Sequence, residues 1–209
     1  MITPVMIPDV VSGEALTYTD RQTRANALGL DLVFCQHLNS LSDRRHNYAM
    51  AVTPRGEMEE DPTSQAFGLD YAKRVDAAME RAKIQRTGPP RVWQKRPEAD
   101  QITHIQMPAI LAEPLFISRV ECAIWVVSTE GRDALAECAA GAIRAALPEG
   151  GRVGIFPGHI ARADRPNDIG AEIRIPKAGA HGLEWPLVAT EAQMVLDICL
   201  RIERALRVS

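Results

Sequence analysis

Met107-Pro-Ala-Ile-Leu-Ala-Glu-Pro-Leu-Phe-Ile-Ser118 reads as a buried strand that ends in a carboxylate. Ala109 to Ala112 is a short apolar run, the pattern of a strand covered on both faces. Glu113 closes the run and Pro114 follows at once. Proline has no N–H to donate to a ladder, so the strand stops there, with Leu115 and Phe116 beside the carboxylate. A glutamate in such a place ordinarily faces water, because carboxylates are seldom buried without a partner. The sharper reading is a catalytic carboxylate at the mouth of a sheet. What else the chain brings to that spot decides between the two.

The chain has 209 residues, a length that suits one domain and can bury a full core without disulfides. Its 46% hydrophobic and 24% charged residues are those of an ordinary globular protein. A net charge of −3 offers no electrostatic case for nucleic acid or for an anionic membrane. Met1-Ile-Thr-Pro-Val-Met-Ile-Pro8 has neither a basic start nor a long apolar core, so no signal peptide is expected. No apolar run approaches the ~20 residues of a membrane helix. Cys35, Cys122, Cys138 and Cys199 are widely spaced in apolar surroundings, which suggests reduced core thiols and no zinc knuckle.

Taken in order, residues 2–7 form an edge strand limited by Pro4 and Pro8. Residues 17–29 have helical character, with Gly29 as the C-terminal cap. Leu30-Asp-Leu-Val-Phe-Cys35 is a buried strand that delivers His37 and Asn39 to its carboxyl end, where open α/β sheets bind ligands. A lone His there is more ordinarily a hydrogen-bonded loop residue than a ligand. Tyr48–Val52 is a short strand candidate. Asp61-Pro-Thr-Ser64 opens a long helix to about Lys83, with Phe67, Tyr71, Val75 and Met79 on one face. Residues 91–106 read as a mixed connection. Cys122–Val127 fits a strand or a helix equally well, and Arg132–Leu147 is an amphipathic helix. Pro148-Glu-Gly-Gly151 is a turn. Arg152-Val-Gly-Ile-Phe156 is a strand that delivers Pro157-Gly158-His159. Residues 161–186 read as loop. Thr190 and Gln193 have the spacing of a capping box at the start of a final helix, and Glu191 falls in its first turn.

Strands that alternate with helices predict an α/β fold: a single domain with a mostly parallel sheet of about six strands, flanked by helices on both faces. Three strand ends then carry His37, Glu113 and His159, and one helix start carries Glu191. Two imidazoles and one carboxylate with an open fourth position make a common catalytic zinc set. A further carboxylate beside such a metal suits a general base. Helix-start preference alone also explains Glu191, and no local motif such as His-Glu-x-x-His ties the four together.

Longer segments do tie them together. Arg21-Gln-Thr-Arg-Ala-Asn26, followed by the strand ending Cys35-Gln-His37-Leu-Asn39, resembles the zinc-dependent N-acetylmuramoyl-L-alanine amidases of the amidase-3 type. In that family an Arg-x-x-x-Ala-Asn helix leads to a strand ending Ser-Ile-His-Ala-Asn. Pro108-Ala-Ile-Leu-Ala-Glu113-Pro-Leu-Phe116-Ile-Ser118 is similar to the family's Pro-Ala-Val-Leu-Val-Glu-x-Gly-Phe-Ile-Ser-Asn, and Ser64 to Ala82 to the helix between them. The family's opening Asp-Pro-Gly-His-Gly-Gly comes late, as Phe156-Pro-Gly-His159-Ile-Ala161. The helix from Glu191 to Ile202 resembles the family helix that begins with a zinc-binding Glu.

The blocks are therefore rotated. Residues 1–147 match the family's central and C-terminal blocks, and 152–209 its N-terminal block. The whole chain, 1–209, then reads as one circularly permuted catalytic domain joined through Pro148-Glu-Gly-Gly151. The resemblance implies that His37, His159 and Glu191 hold Zn²⁺, with Glu113 as general base. Glu184, which also follows a Gly, is the rival third ligand. Asn39 and Arg45 are candidate substrate contacts. The implied reaction is hydrolysis of the amide between N-acetylmuramic acid and L-alanine in peptidoglycan, with no nucleic-acid or membrane partner. A lysin held in the cytoplasm until release would suit the missing signal peptide. Two alternatives stay open: a zinc amidohydrolase for a small amide, and a degenerate domain that only binds peptidoglycan. The chain departs from the family pattern at Phe156, Ile160, Ala161, Cys35 and Arg119, positions that bear on the surroundings of the ligands more than on the ligands.

Overall fold

The computed structural model describes residues 1–7, 10–11, 14–55, 61–94, 97–159, 169–175 and 187–208. Its centre is a six-stranded sheet in the order β1-β8-β4-β7-β5-β6. The strands are β1 (Ile2–Met6), β4 (Leu32–Gln36), β5 (Met50–Val52), β6 (Arg91–Trp93), β7 (Ala109–Glu113) and β8 (Gly151–Pro157). β1, β8, β4 and β7 run parallel to one another. β5 runs antiparallel to β7, and β6 is parallel to β5. Two small hairpin-like pairs lie outside: β2 (Val10–Val11) with β3 (Glu14–Ala15), and β9 (Glu172–Arg174) with β10 (Leu187–Thr190).

The central strands are buried on both faces, and alternate residues serve two separate cores. Leu32, Phe34, Ile110, Ala112, Val153 and Ile155 face one layer of helices. Val33, Cys35, Ala109, Leu111, Met50 and Val52 face the other side. The first layer holds α2 (Pro62–Arg81), α3 (Val120–Val127), α4 (Thr129–Ala146) and α5 (Glu191–Arg207), with α4 between α2 and α5. The second is thinner: α1 (Tyr18–Ala27) and a short 3-10 helix, Pro97–Gln101, packed on each other. This is a mostly parallel six-stranded α/β sheet with helices on both faces. The periodic face of α2 lands as its spacing dictates: Phe67, Tyr71, Val75 and Met79 are all buried. Tyr71 meets Phe34 of β4 edge-on, with ring centroids 5.3 Å apart. Full burial of side chains of this kind contributes about 1.5–3 kcal/mol each.

Local signals set the helix ends. Asp61 accepts from the Ser64 N–H with Pro62 at the first helical position, so α2 begins two residues before Ser64. Thr17 and Asp20 form a reciprocal capping box on α1, as do Thr190 and Gln193 on α5. One open reading is resolved and two are corrected. Cys122–Val127, which fitted a strand or a helix equally, lies in a helix that starts at Val120, with Glu121 stabilising its first turn. Residues 91–93 of the presumed connection add an outer strand beside β5. Within the presumed loop 161–186, residues 172–174 pair with β10. Glu184, Ile160 and Ala161 lie outside the described residues.

Candidate metal centre and its cleft

All four parallel strands point their carboxyl ends at one edge of the sheet. His37 is the first residue beyond β4, Glu113 the last of β7, and His159 the second beyond β8. Because β8, β4 and β7 are neighbours, residues more than a hundred positions apart arrive side by side. Glu191 enters from the first turn of α5. Its N–H donates to the Ala171 carbonyl at 2.9 Å, and the Ala192 N–H to the Ile169 carbonyl at 3.1 Å, which anchors the helix start.

The coordinating atoms of His37, His159 and Glu191 all lie within 4.8 Å of one another. Glu191 Oε1 is 3.3 Å from His159 Nε2 and 3.7 Å from His37 Nδ1. The two imidazoles meet edge-on, with centroids 4.7 Å apart. Glu191 is 3% exposed, and each of its oxygens accepts one backbone N–H, from Leu38 at 2.9 Å and from Ala171 at 3.0 Å. Two glycines make the room. A Cβ at Gly158 would fall 2.3 Å from the His37 ring. Gly170 sits at φ +64°, and a Cβ there would fall 2.7 Å from Glu191 Oε2. His159 itself adopts φ +54°, a left-handed backbone uncommon for a non-glycine and found at sites where geometry is imposed from outside.

The electrostatics suit a cation. Burial pushes His37 below its ordinary value, against the pull of Glu191, so its imidazole is neutral at neutral pH. Burial alone would raise Glu191, but the His159 and His37 rings beside it more than offset this and hold it at about 2. A neutral His37 and an ionised Glu191 are the protonation states in which these two groups can hold a divalent metal. This donor set therefore fits a metal such as zinc, and His37, His159 and Glu191 are the residues that could hold it.

Glu113 is 7% exposed, so the bland expectation of a solvent-facing glutamate does not hold. Asn39 donates to Glu113 Oε2 at 2.8 Å, and Asn39 is itself held by a bridge to Phe116. Glu113 and the three metal-type residues line one cleft of about 540 Å³. Asn39 lines it as well. Part of the cleft lining is aromatic: Tyr48, Trp93 and Phe116, with His46. Tyr48 packs edge-on against Phe116 at 5.0 Å, and the Arg91 guanidinium lies 4.0 Å over the Tyr48 ring. Arg45 stands outside the cleft lining, where its guanidinium engages Asp43 at 2.7 Å. Tyr48 and Trp93 went unnoticed as site residues because they precede or end short strands running against the rest. Gln101 went unnoticed because nothing in its neighbourhood of sequence marks it, yet its Oε1 lies 2.9 Å from His37 Nε2.

No family model matches the sequence, and no curated protein matches it. Solved structures do. The catalytic domain of CwlV, an N-acetylmuramoyl-L-alanine amidase from Bacillus (Paenibacillus) polymyxa var. colistinus, aligns with a TM-score of 0.52 at 18% identity, over 67% of this chain and 70% of that one. The N-acetylmuramyl-L-alanine amidase Ami1 from Mycobacterium smegmatis aligns with a TM-score of 0.51 at 17% identity, over 68% and 66%. The CwlD amidase from Clostridioides difficile, solved with the GerS lipoprotein, gives 0.50 at 13%, over 63% and 61%. The match thus spans about three fifths of the length of CwlD. At these identities the likeness is one of fold: this chain has the fold of amidase catalytic domains. Among the described residues no helix is long and apolar enough to cross a membrane.

Proposed function

We propose that the chain is a zinc-dependent peptidoglycan amidase that cleaves the bond between the lactyl group of N-acetylmuramic acid and L-alanine of the stem peptide. The observation that carries this reading is the convergence of His37, His159 and Glu191 within 4.8 Å, in one cleft with the buried Glu113. The fold of the matched amidases supports it. Zn²⁺ bound there supplies Lewis acidity, which polarises an amide carbonyl and makes water more acidic. His37, His159 and Glu191 are the proposed ligands. Glu113 takes the proton of the attacking water and delivers it to the departing amine nitrogen. Asn39 occupies one Glu113 oxygen and so orients the carboxylate. Asn39, in the cleft lining, is the proposed substrate contact; Arg45 would join it only by leaving Asp43, since it stands outside that lining. The aromatic wall of Tyr48, Trp93 and Phe116 gives the substrate an apolar face to lie on.

We further propose that the order of blocks is circularly permuted, with 1–147 and 152–209 exchanged relative to the matched amidases. One observation is in keeping with this. The turn from α4 into β8 is short and lies against the chain start, with the Gly151 N–H donating to the Met1 carbonyl at 3.1 Å. Action on the cell wall after release from the cytoplasm, as by a lysin, belongs to the same proposal.

Mass spectrometry of peptidoglycan incubated with the protein, with and without a zinc chelator, tests the activity. Released stem peptides beginning at L-alanine, lost on chelation and restored by Zn²⁺, are the expected result. Intact peptidoglycan despite bound zinc would redirect the site to a small amide. No cleavage and no zinc would overturn it.

A further inference from the structure

Gln101 ends the 3-10 helix on the thinner side of the sheet, with its side chain buried. Its Oε1 accepts from Arg21 Nη2 at 3.3 Å and from the Cys35 thiol at 3.8 Å, and lies 2.9 Å from His37 Nε2. A guanidinium can only donate, so the amide atom that faces it is the oxygen and not the NH₂ group. That oxygen can only accept, so the proton of a neutral His37 sits on Nε2. The lone pair is then on Nδ1, the nitrogen that faces Glu191 Oε1.

Arg21 is held from several directions. It is fully buried, Nη1 donates to the Pro157 carbonyl at 2.9 Å, and the guanidinium stacks 4.6 Å from the Phe156 ring centre. One guanidinium therefore joins the end of β8, two residues before His159, to the amide that faces His37. We infer that Gln101, oriented by Arg21, is a positioning residue that selects the tautomer of His37 and so aims Nδ1 into the proposed metal centre. The inference rests on the zinc reading above. Histidine ligands ordinarily donate their second N–H to such an acceptor, and loss of the acceptor typically weakens metal binding about 10- to 100-fold. The same amide also limits rotation of the ring, since turning His37 over would set the Cε1 carbon against the Gln101 oxygen and forfeit the Nε2–H hydrogen bond.

The test is ¹⁵N–¹H correlation of the histidine side chains at about pH 8, where an ordinary His is neutral. It is run on the full chain, metal-free and with Zn²⁺ added, alongside zinc affinity from chelator competition. In the wild type, His37 carries its proton on Nε2 in both states. In Gln101→Leu the metal-free ring becomes a tautomer mixture, and zinc affinity drops about 10- to 100-fold. Gln101→Glu keeps an acceptor beside Arg21 and restores both readouts. A wild-type His37 with its proton on Nδ1 overturns the inference whether or not any variant folds. Unchanged tautomer and zinc affinity in folded Gln101→Leu overturn it as well. A wild type that binds no zinc defeats the metal reading, while the tautomer of the metal-free protein still decides the role of Gln101.

Discussion

The two halves of the sheet meet the same cleft from opposite directions. β8, β4 and β7 bring their carboxyl ends to it, and three of the four polar site residues sit on or just beyond those ends. β5 and β6 run the other way, so their amino ends arrive beside Glu113, in register at Met50 and Arg91. What they bring is Tyr48, Met50 and the Arg91 guanidinium over Tyr48. The parallel half supplies groups that hold protons or donate lone pairs, together with Phe116, and the reversed half supplies the rest of the aromatic wall. The physical reason is the neighbourhood. Backbone N–H groups at the carboxyl edge (Leu38) and just before β9 (Ala171) satisfy Glu191, which makes a buried carboxylate tolerable there. The reversed strands offer mainly aromatic packing.

If this division is right, the largest effect belongs to a ligand of the parallel half. His159→Ala should lose bound zinc and all activity together; metal analysis showing full zinc content would remove His159 from the ligand set. Glu113→Ala comes next. It should keep zinc and lose ~10²-fold or more in kcat, the usual cost of removing a general base. Near-normal turnover in that variant would strip Glu113 of its role.

The pH dependence of the metal-free protein probes the same half. Both His37 and Glu191 lie below their ordinary values in the fold, so the unfolded chain binds more protons than the folded one. Stability from His37 is then complete above 6.5 and is lost as pH falls below it. Stability from Glu191 is lost between 4.5 and about 2. Melting temperatures should therefore fall on acidification from neutrality; a rise would reverse the sign and the argument. The smallest effect belongs to the reversed half. Trp93→Ala should raise KM only about 2- to 10-fold, matching the ~0.5–1.5 kcal/mol of an aromatic contact. Zinc content should not change. Loss of zinc in that variant would break the division between the halves.

Much of this was written in local sequence. The apolar run 109–112, the capping pair Thr190 and Gln193, and the four-residue rhythm of Phe67, Tyr71, Val75 and Met79 each act within a turn or two of chain, and each stands where its pattern put it. His37, Glu113, His159 and Glu191 were legible as candidates because strand ends and helix starts are local features. Strand direction was not. β5 and β6 are three residues each, too short for periodicity to speak, and pairing with β7 and with each other sets their sense.

The sequence by itself determined the longer elements, their buried faces and the polar residues at their ends, because backbone propensity, capping and hydrophobic period act over short range; the three-residue strands β6 and β9 escaped it. Tertiary structure alone decided that β8 lies between β1 and β4, so that His159 meets His37. It also buried Glu113 beside Asn39, and it set Gln101 between Arg21 and His37. These are contacts across 64 to 122 positions of chain, from Gln101–His37 to His37–His159, and no local rule reaches that far. They arise only when the sheet order closes and each buried polar atom must find its partner.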